Sequence, residues 1–493
     1  MKKHLAIDIG ADTGRAIVGE LKDGVLQMQE IHRFPTRDFR VRSVRLRNVY
    51  RWYEEIMQAL SLFKEQFGNH LDTIGVDALG CEFSFVDLSG SLLNLPLSTR
   101  DDATFDHVAI IDKEVGRRRL YELTGNQIMP VDTLNRILYY RENDANLLYR
   151  ASGILFLSDI MHYFLGSQPC CEYSLATYCH LYDQNKDCWS NELFSAFDLP
   201  KRLRPQIVHA GDIVGRLDSC LSEELGFDTQ PYIVTPCSHD TSNAVLCVPD
   251  LGDNWAFISS GSWSLIGFVT DNPIINDRSF SINASNSALA FNKYMYKKNV
   301  SGMWLIQQCS RYWGIKSYSQ IAKLAHQAKP LSCWIDIDSL KFFYTNKMPE
   351  AVSLDVKEHY GVDVDPNDTG AIARIIYESM AMKDRYVLER VLSTGRKKIK
   401  KIYIVGGGSK NTFLNQLIAN ITGYEVRTGA SESTSIGNLL LQCVGSGELA
   451  DLQELTQVAI NSIKSDVFTP EEQPYWDAQY KAFLSSTKIE NIW

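Results

Sequence analysis

The chain has 493 residues, 45% hydrophobic and 22% charged, which makes it a globular protein too long for one hydrophobic core. Its 50 Lys and Arg against 59 Asp and Glu leave a net charge of −9, which argues against a nucleic-acid or anionic-membrane partner. No apolar run approaches the roughly 18 residues of a membrane span, and Asp8, Asp12 and Arg15 break any leader that Lys2-Lys3 would open. The 11 cysteines are odd in number and form no C-x-x-C pair, so free thiols and a cytoplasmic location are expected.

In chain order, His4 to Ile9 reads as an apolar strand carrying Asp8, with Gly10 to Gly14 as a turn and Arg15 to Leu21 as the returning strand. Arg33 to Arg51 is locally basic, but Val41, Val44, Leu46 and Val49 alternate as in a strand with one solvated face. Val49 to Gln66 is helical, with Trp52, Ile56, Ala59, Leu60 and Phe63 on one face. Leu71 to Asp77 is a buried strand that stops at Ala78-Leu79-Gly80-Cys81-Glu82, and Phe83 to Asp87 is another strand. From Phe105 to about Pro231 the chain reads as mainly helical with loops.

Tyr232 to Pro236 is a short apolar run that delivers Cys237-Ser238-His239-Asp240-Thr241. The stretch Val245 to Asn254 is the one segment that looks like a linker, so two domains are expected, 1–246 and 247–493. Trp255 to Ile258, the turn Ser259 to Ser264 and Leu265 to Val269 repeat the strand, small-residue turn and strand of the amino terminus. The two turns lie about half the chain apart, which points to an internal duplication. Asn299 to Tyr312 reads as a helix entry and Thr369 to Leu392 as a long amphipathic helix. Ile402 to Val405 is a strand, followed by Gly406-Gly407-Gly408 and a helix from Thr412 to Ile421. Ile436 to Val444 is a further helix.

A strand, a glycine turn and a second apolar element present backbone N–H groups to phosphate. Gly261 in the second turn and Gly406, Gly407 and Asn411 around the triple glycine are therefore candidate nucleotide contacts. Neither G-x-x-x-x-G-K-[ST] nor G-x-G-x-x-G is present. Asp8 and Asp240, each at or just beyond a strand end, suggest Mg²⁺ and a base beside those loops, the parts phosphoryl transfer requires. His239 has no second His at zinc-ligand spacing.

Taken together, five motifs resemble the FGGY family of carbohydrate kinases. They are Ala6 to Arg15, Ser238 to Thr241, Ser259 to Leu265, Asn299 to Gln307 and Val405 to Asn411, with Thr434 to Asn438 as the family's late helix start. The resemblance runs from Leu5 to about Leu449. It implies an α/β protein of two actin-like (ribonuclease H-like) domains with the catalytic cleft between them. It also implies ATP, Mg²⁺ and a ketose phosphorylated on a terminal hydroxyl. L-rhamnulose is the first expectation, and L-fuculose or another ketose or polyol the alternative. A non-catalytic sugar- or nucleotide-binding regulator is the rival of another class.

By position, Asp240 matches the family's proton acceptor. Gly80, Glu82, His239, Thr241 and Asn299 match its sugar side. Ala11, Asp12, Thr13, Gly14, Arg15, Ser262, Gln307 and Gly407 match its ATP contacts, and Asp8 its metal-side carboxylate. The subgroup the chain resembles most usually carries Thr-Trp-Gly-Val-Asp where this chain has Ala78 to Glu82, so Leu79 and Glu82 are departures on the sugar side. Asp12 adds a negative charge to a loop that should face phosphate, and is expected to point to solvent or to the metal.

Overall fold

The computed structural model describes residues 1–343, 345–487 and 489. Two mixed sheets repeat one plan. In the first, the spatial order is Ile213–Arg216, Tyr232–Val234, Thr73–Ala78, His4–Ile9, Thr13–Lys22 and Val25–Pro35. In the second it is Ser285–Ala288, Tyr294–Ser301, Trp263–Thr270, Trp255–Ser260, Lys401–Val405, Glu425–Thr428 and Val467–Phe468. Each opening strand pairs antiparallel with the next strand and parallel with a later one, His4–Ile9 with Thr73–Ala78 and Trp255–Ser260 with Lys401–Val405. The half-chain repetition in the sequence is thus a repetition of topology.

The opening strand His4–Ile9 is buried at every position because both faces are covered. Leu5, Ile7 and Ile9 share a core with Trp52, Ile56, Ala59, Leu60 and Phe63 of the helix Val49–Phe67. On the other face, Ala6 and Ile17 join Ile436, Leu439 and Leu440 of the helix Ser433–Gly445. The next helix, Leu452–Ser462, adds Leu455, Val458 and Ala459 to that same core. Residues 433–462 therefore return to cover the first sheet, while the last helix, Gln473–Ser486, packs with the core of the second. The second sheet packs on the helix Thr369–Gly395, whose Ile372, Ile376, Met380, Val387 and Val391 are buried and whose start is capped by the Asp368 side chain on Ala371 N. A third core fills the largely helical region between Phe105 and Leu203, joined to the first sheet's segment where Phe83–Val86 pairs with Gly153–Phe156.

Three local expectations are corrected. The basic run up to Arg51 contains a tight hairpin, Phe39–Val41 with Val44–Leu46, rather than one strand. Asn299 lies on the strand Tyr294–Ser301, and the helix begins only at Trp304, because Gly302 and Met303 turn the chain. Asp240 does not end a strand. The strand Tyr232–Val234 is three residues long, and Asp240 opens the helix Asp240–Leu246. Among the described residues all 11 cysteines are free, and no helix is long and apolar enough to cross a membrane.

Candidate active site

Three carboxylates converge where the first sheet ends. Asp8 and Asp77 stand directly opposite each other on adjacent parallel strands. Asp8 accepts from Ser435 Oγ at 3.4 Å and lies 3.5 Å from Arg15 Nε. Burial pushes its pKa up more than Arg15 and Ser435 pull it down. Asp77 is fully buried; its Oδ2 accepts from Asn438 Nδ2 at 2.6 Å while Oδ1 has no partner. Burial, and then the charge of Asp8, push Asp77 well above the usual carboxylate range. Asp77 was missed in the sequence, although it shares the signal that marked Asp8, an aspartate at the end of a buried strand.

Asp240 is held by the loop before it. Asn243 braces that loop by accepting from Cys237 N at 3.1 Å and donating to Cys237 O at 2.7 Å, and Glu172 accepts from Ser238 N at 2.8 Å. Thr241 gives Asp240 Oδ1 two bonds, from its N at 2.5 Å and its Oγ1 at 3.2 Å. Burial, and then the charge of Asp8, push the Asp240 carboxyl up to about 7. That is the range of a general base working at neutral pH. His239 Nε2 lies 3.6 Å from Asp240 Oδ1, and its Nδ1 has no partner. Burial and then Lys297 depress the imidazole to about 3, so it is neutral at physiological pH.

The remaining sugar-side residues divide. Gly80 lies against the His239 ring, where a Cβ would stand 3.1 Å from Cδ2. Asn299 is clamped through its backbone by the Gln127 amide, donates Nδ2 to Tyr178 Oη at 2.9 Å and leaves Oδ1 without a partner. Glu82 is a correction. It is fully buried and forked onto Arg47, with Oε2 to Nε at 2.8 Å and Oε1 to Nη2 at 3.1 Å, and Oε1 also accepts from Thr99 N and Oγ1. Its carboxylate organises loops instead of facing a ligand. Arg47 in turn donates to Ala11 O and Thr36 O, both at 3.1 Å, so this pair fixes the first glycine turn from beneath. Leu79 packs on the core of the first sheet. Cys81 sits at φ 73°, a strained conformation for a residue with a side chain.

On the nucleotide side, the turn Gly10–Thr13 closes through Gly10 N to Thr13 O at 3.2 Å. Gly14 is required for packing, since a Cβ there would meet the Phe34 ring at 2.4 Å. Asp12 is partly exposed and engaged by arginines. It forks onto Arg100 at 3.1 and 3.2 Å, with Arg311 at 3.9 Å. Burial opposes ionisation of Asp12, but the Arg100 guanidinium outweighs it and holds the carboxyl below the usual range. Arg100 also lies over the Trp304 ring, 5.4 Å from its centroid, so the Asp12 turn and the start of the helix Trp304–Trp313 face each other across the cleft. Arg15 pairs with Asp8 and Glu432, and its Nε has no hydrogen-bond partner.

In the second turn Gly261 and Ser262 offer their carbonyls to Met303 N and Gly302 N, and Ser262 Oγ donates to Gln307 Oε1 at 3.0 Å. Gly406 has φ 82° and donates its N–H to Ser433 Oγ at 3.2 Å. Gly407 is exposed, with open space where a Cβ would stand. The triple glycine forms a short 3₁₀ turn, Gly407–Lys410, before the helix. Asn411 caps that helix, its side-chain oxygen accepting from Leu414 N at 3.1 Å.

Asp77 Oδ1 has no partner, and Asp77 stands opposite Asp8 on the neighbouring strand; carboxylate oxygens of this kind are what a hard divalent cation such as Mg²⁺ takes as ligands. Residues 4–247 match the N-terminal domain of the FGGY family of carbohydrate kinases, and residues 256–446 its C-terminal domain. A rhamnulokinase of Bacteroides thetaiotaomicron is 32% identical over 489 residues, covering 99% of this chain and all of its own. One from Bacillus subtilis is 30% identical, covering 95% of this chain and 96% of its own. Among solved structures, a xylulose kinase from Lactobacillus acidophilus superposes with a TM-score of 0.82 at 13% identity, over 98% of this chain and 97% of its own. A Plasmodium falciparum glycerol kinase with ADP does so at 0.78 and 12%, over 99% of both. At those identities the structures speak for the fold alone, but the family models cover most of the chain: it belongs to the FGGY family of carbohydrate kinases.

Proposed function

We propose that the chain transfers the γ-phosphoryl group of ATP to a terminal hydroxyl of a ketose, with L-rhamnulose the first candidate and L-fuculose the second. The sugar follows from the likeness to rhamnulokinases along nearly the whole chain. The observation that carries the reaction is Asp240. Its Oδ1 is taken by Thr241, its pKa is poised at about 7, and it lies near Asp8 and beside His239. In this reading Asp240 Oδ2 accepts the proton of the hydroxyl as its oxygen bonds to the γ-phosphorus. The bond from that phosphorus to the β–γ bridging oxygen breaks, and ADP leaves. Asp8 and Asp77 would hold Mg²⁺, which neutralises phosphate charge. Gly407, with open space above it, gives a nucleotide room to approach the backbone.

The test is coupled ADP release over a panel of ketoses and polyols with ATP and Mg²⁺. Turnover with L-rhamnulose preferred supports the reading. Sugar binding without ADP release supports the regulator instead.

A further inference from the structure

Two residues in the sugar-side pocket belong to none of the motifs. Tyr178 ends the short helix Tyr173–Tyr178. Its ring stacks on the His239 imidazole, with centroids 5.3 Å apart and planes 16° apart. Its hydroxyl accepts from Asn299 Nδ2 at 2.9 Å. A Cβ on Gly80 would stand 3.5 Å from its Cδ1. One side chain thus touches three of the residues on the sugar side.

Lys297 lies two positions before Asn299 on the strand Tyr294–Ser301, so the two side chains leave the same face. Its Nζ is 4.5 Å from the centroid of the Tyr178 ring. Lys297 is fully buried, and Nζ has no hydrogen-bond partner. A buried ammonium without a hydrogen-bond partner is costly to the fold, so its contact with the face of the Tyr178 ring matters for where that ring sits. Cys81, Asp132 and Asp240 are the ionisable groups whose charges act on it, from three separate segments.

The geometry fixes the polarity of the pocket. Because Asn299 donates Nδ2 to Tyr178, its Oδ1 is the end left over, and that oxygen has no partner. A ligand that meets Asn299 there must bring a hydroxyl donor. Because Tyr178 fills the space beside Gly80 and His239, the ligand must also be slim on that side.

We propose that Tyr178, held by Lys297 as a positioning residue, determines which ketose or polyol the site accepts: it aims the Asn299 amide and the His239 ring and occupies room that a bulkier sugar would need. The proposal rests on the reading that the sugar lies between His239 and Asn299.

The test compares wild type with Tyr178→Phe, Tyr178→Thr and Lys297→Met across the same ketose and polyol panel. Sugar and ATP constants are measured separately, and each variant's thermal midpoint is recorded. Tyr178→Phe leaves the Asn299 amide without its acceptor, and kcat/KM for the preferred sugar is expected to fall about tenfold or more. Tyr178→Thr is expected to shift the ratio between bulky and slim sugars by about tenfold toward the bulky ones. Lys297→Met is expected to raise the sugar KM while the ATP KM stays within about twofold. An unchanged sugar order and unchanged sugar constants in all three folded variants would overturn the proposal. A wild type that prefers a sugar other than L-rhamnulose corrects the functional reading alone, and the variants are then judged on that sugar. If wild type binds sugars without turnover, calorimetric affinities over the same panel give the same comparison.

Discussion

Gly437 presses on Asn243 where the helix Ser433–Gly445 crosses the helix Asp240–Leu246, so closely that a Cβ on Gly437 would stand 2.2 Å from the Asn243 carbonyl oxygen. Asp240 opens one of these helices, and Ser435, which donates to Asp8, lies in the first turn of the other. The crossing therefore sets the position of both carboxylates. Gly437→Ala must push the helices apart. Overpacking of this kind costs about 1–3 kcal/mol, and displacing a reacting group by an ångström costs on the order of 10²-fold in rate. The expected outcome is a lower thermal midpoint together with a kcat loss of about that size. Near-normal kcat in a destabilised variant would show that the crossing supports the fold but not the chemistry.

Asp240→Asn keeps the shape of the residue and removes the proton acceptor. General-base contributions run to about 10²–10⁴-fold, and kcat is expected to fall by at least the lower figure while calorimetric sugar affinity changes little. The burial that lifts Asp240 to about 7 also fixes the pH dependence. The base works only when ionised, so wild-type kcat/KM should fall as pH drops through about 7, and the variant should lose that limb. Stability runs the other way. A carboxyl whose folded pKa is raised stabilises the fold below its unfolded pKa and loses that contribution as pH rises through the folded value. The variant should therefore melt higher than wild type at alkaline pH, with the difference vanishing near pH 4.

Asp77→Asn tests the carboxylate that faces Asp8 across the sheet. The buried amide preserves volume, but the charge suited to a divalent cation is gone. The Mg²⁺ concentration for half-maximal rate should rise about tenfold or more, as loss of a ligand-shell group does, and so should that of Asp8→Asn. Calorimetric titration of Mg²⁺ with a non-hydrolysable ATP analogue reads the same effect without turnover. Equal Mg²⁺ affinity in both variants and wild type would place the ion elsewhere.

The Arg47–Glu82 pair is a stability element with a functional side effect. Breaking a fully buried pair by removing one partner costs about 3–5 kcal/mol, so Glu82→Ala should lower the urea midpoint substantially. Because Arg47 also holds Ala11 O and Thr36 O, the ATP constant should rise in the same variant. A change confined to sugar preference, with stability intact, would return Glu82 to the sugar pocket.

The cleft is expected to close between the two halves when both substrates bind, since water must be kept from the γ-phosphate. Asp12, Arg100 and Trp304 already meet across it. Small-angle scattering with sugar and a non-hydrolysable ATP analogue should show a smaller radius of gyration than the free protein. An unchanged radius would count against closure.

The fold was legible because its signals are local. The strand His4–Ile9, the helix Val49–Phe67 and the step from Lys401–Val405 to the triple glycine each carry their period or punctuation in a few residues. The repeated hairpins gave away the duplication for the same reason. What was not legible depends on partners far away in sequence. Nothing near Glu82 says that Arg47 will bury against it, and nothing near Asp12 says that Arg100 will neutralise it. Tyr178 looks like any aromatic at the end of a helix until His239 and Asn299 arrive beside it. Asp77 is different. Its signal was present, and only its pairing opposite Asp8 gives that signal meaning.

The return of residues 433–462 to the first sheet has a consequence for the order of events during synthesis. Ala6, Ile17 and Leu26 leave the ribosome early, but the apolar side chains that cover them, from Ile436 to Ala459, are among the last to be made. For most of translation that face of the first sheet lacks most of its cover, so the nascent chain must be shielded or left unpaired until those two helices emerge. A chain cut after Glu432 would still contain every residue predicted for the site. It would nonetheless lose Ser435 from Asp8, Asn438 from Asp77 and the roof over the opening strand.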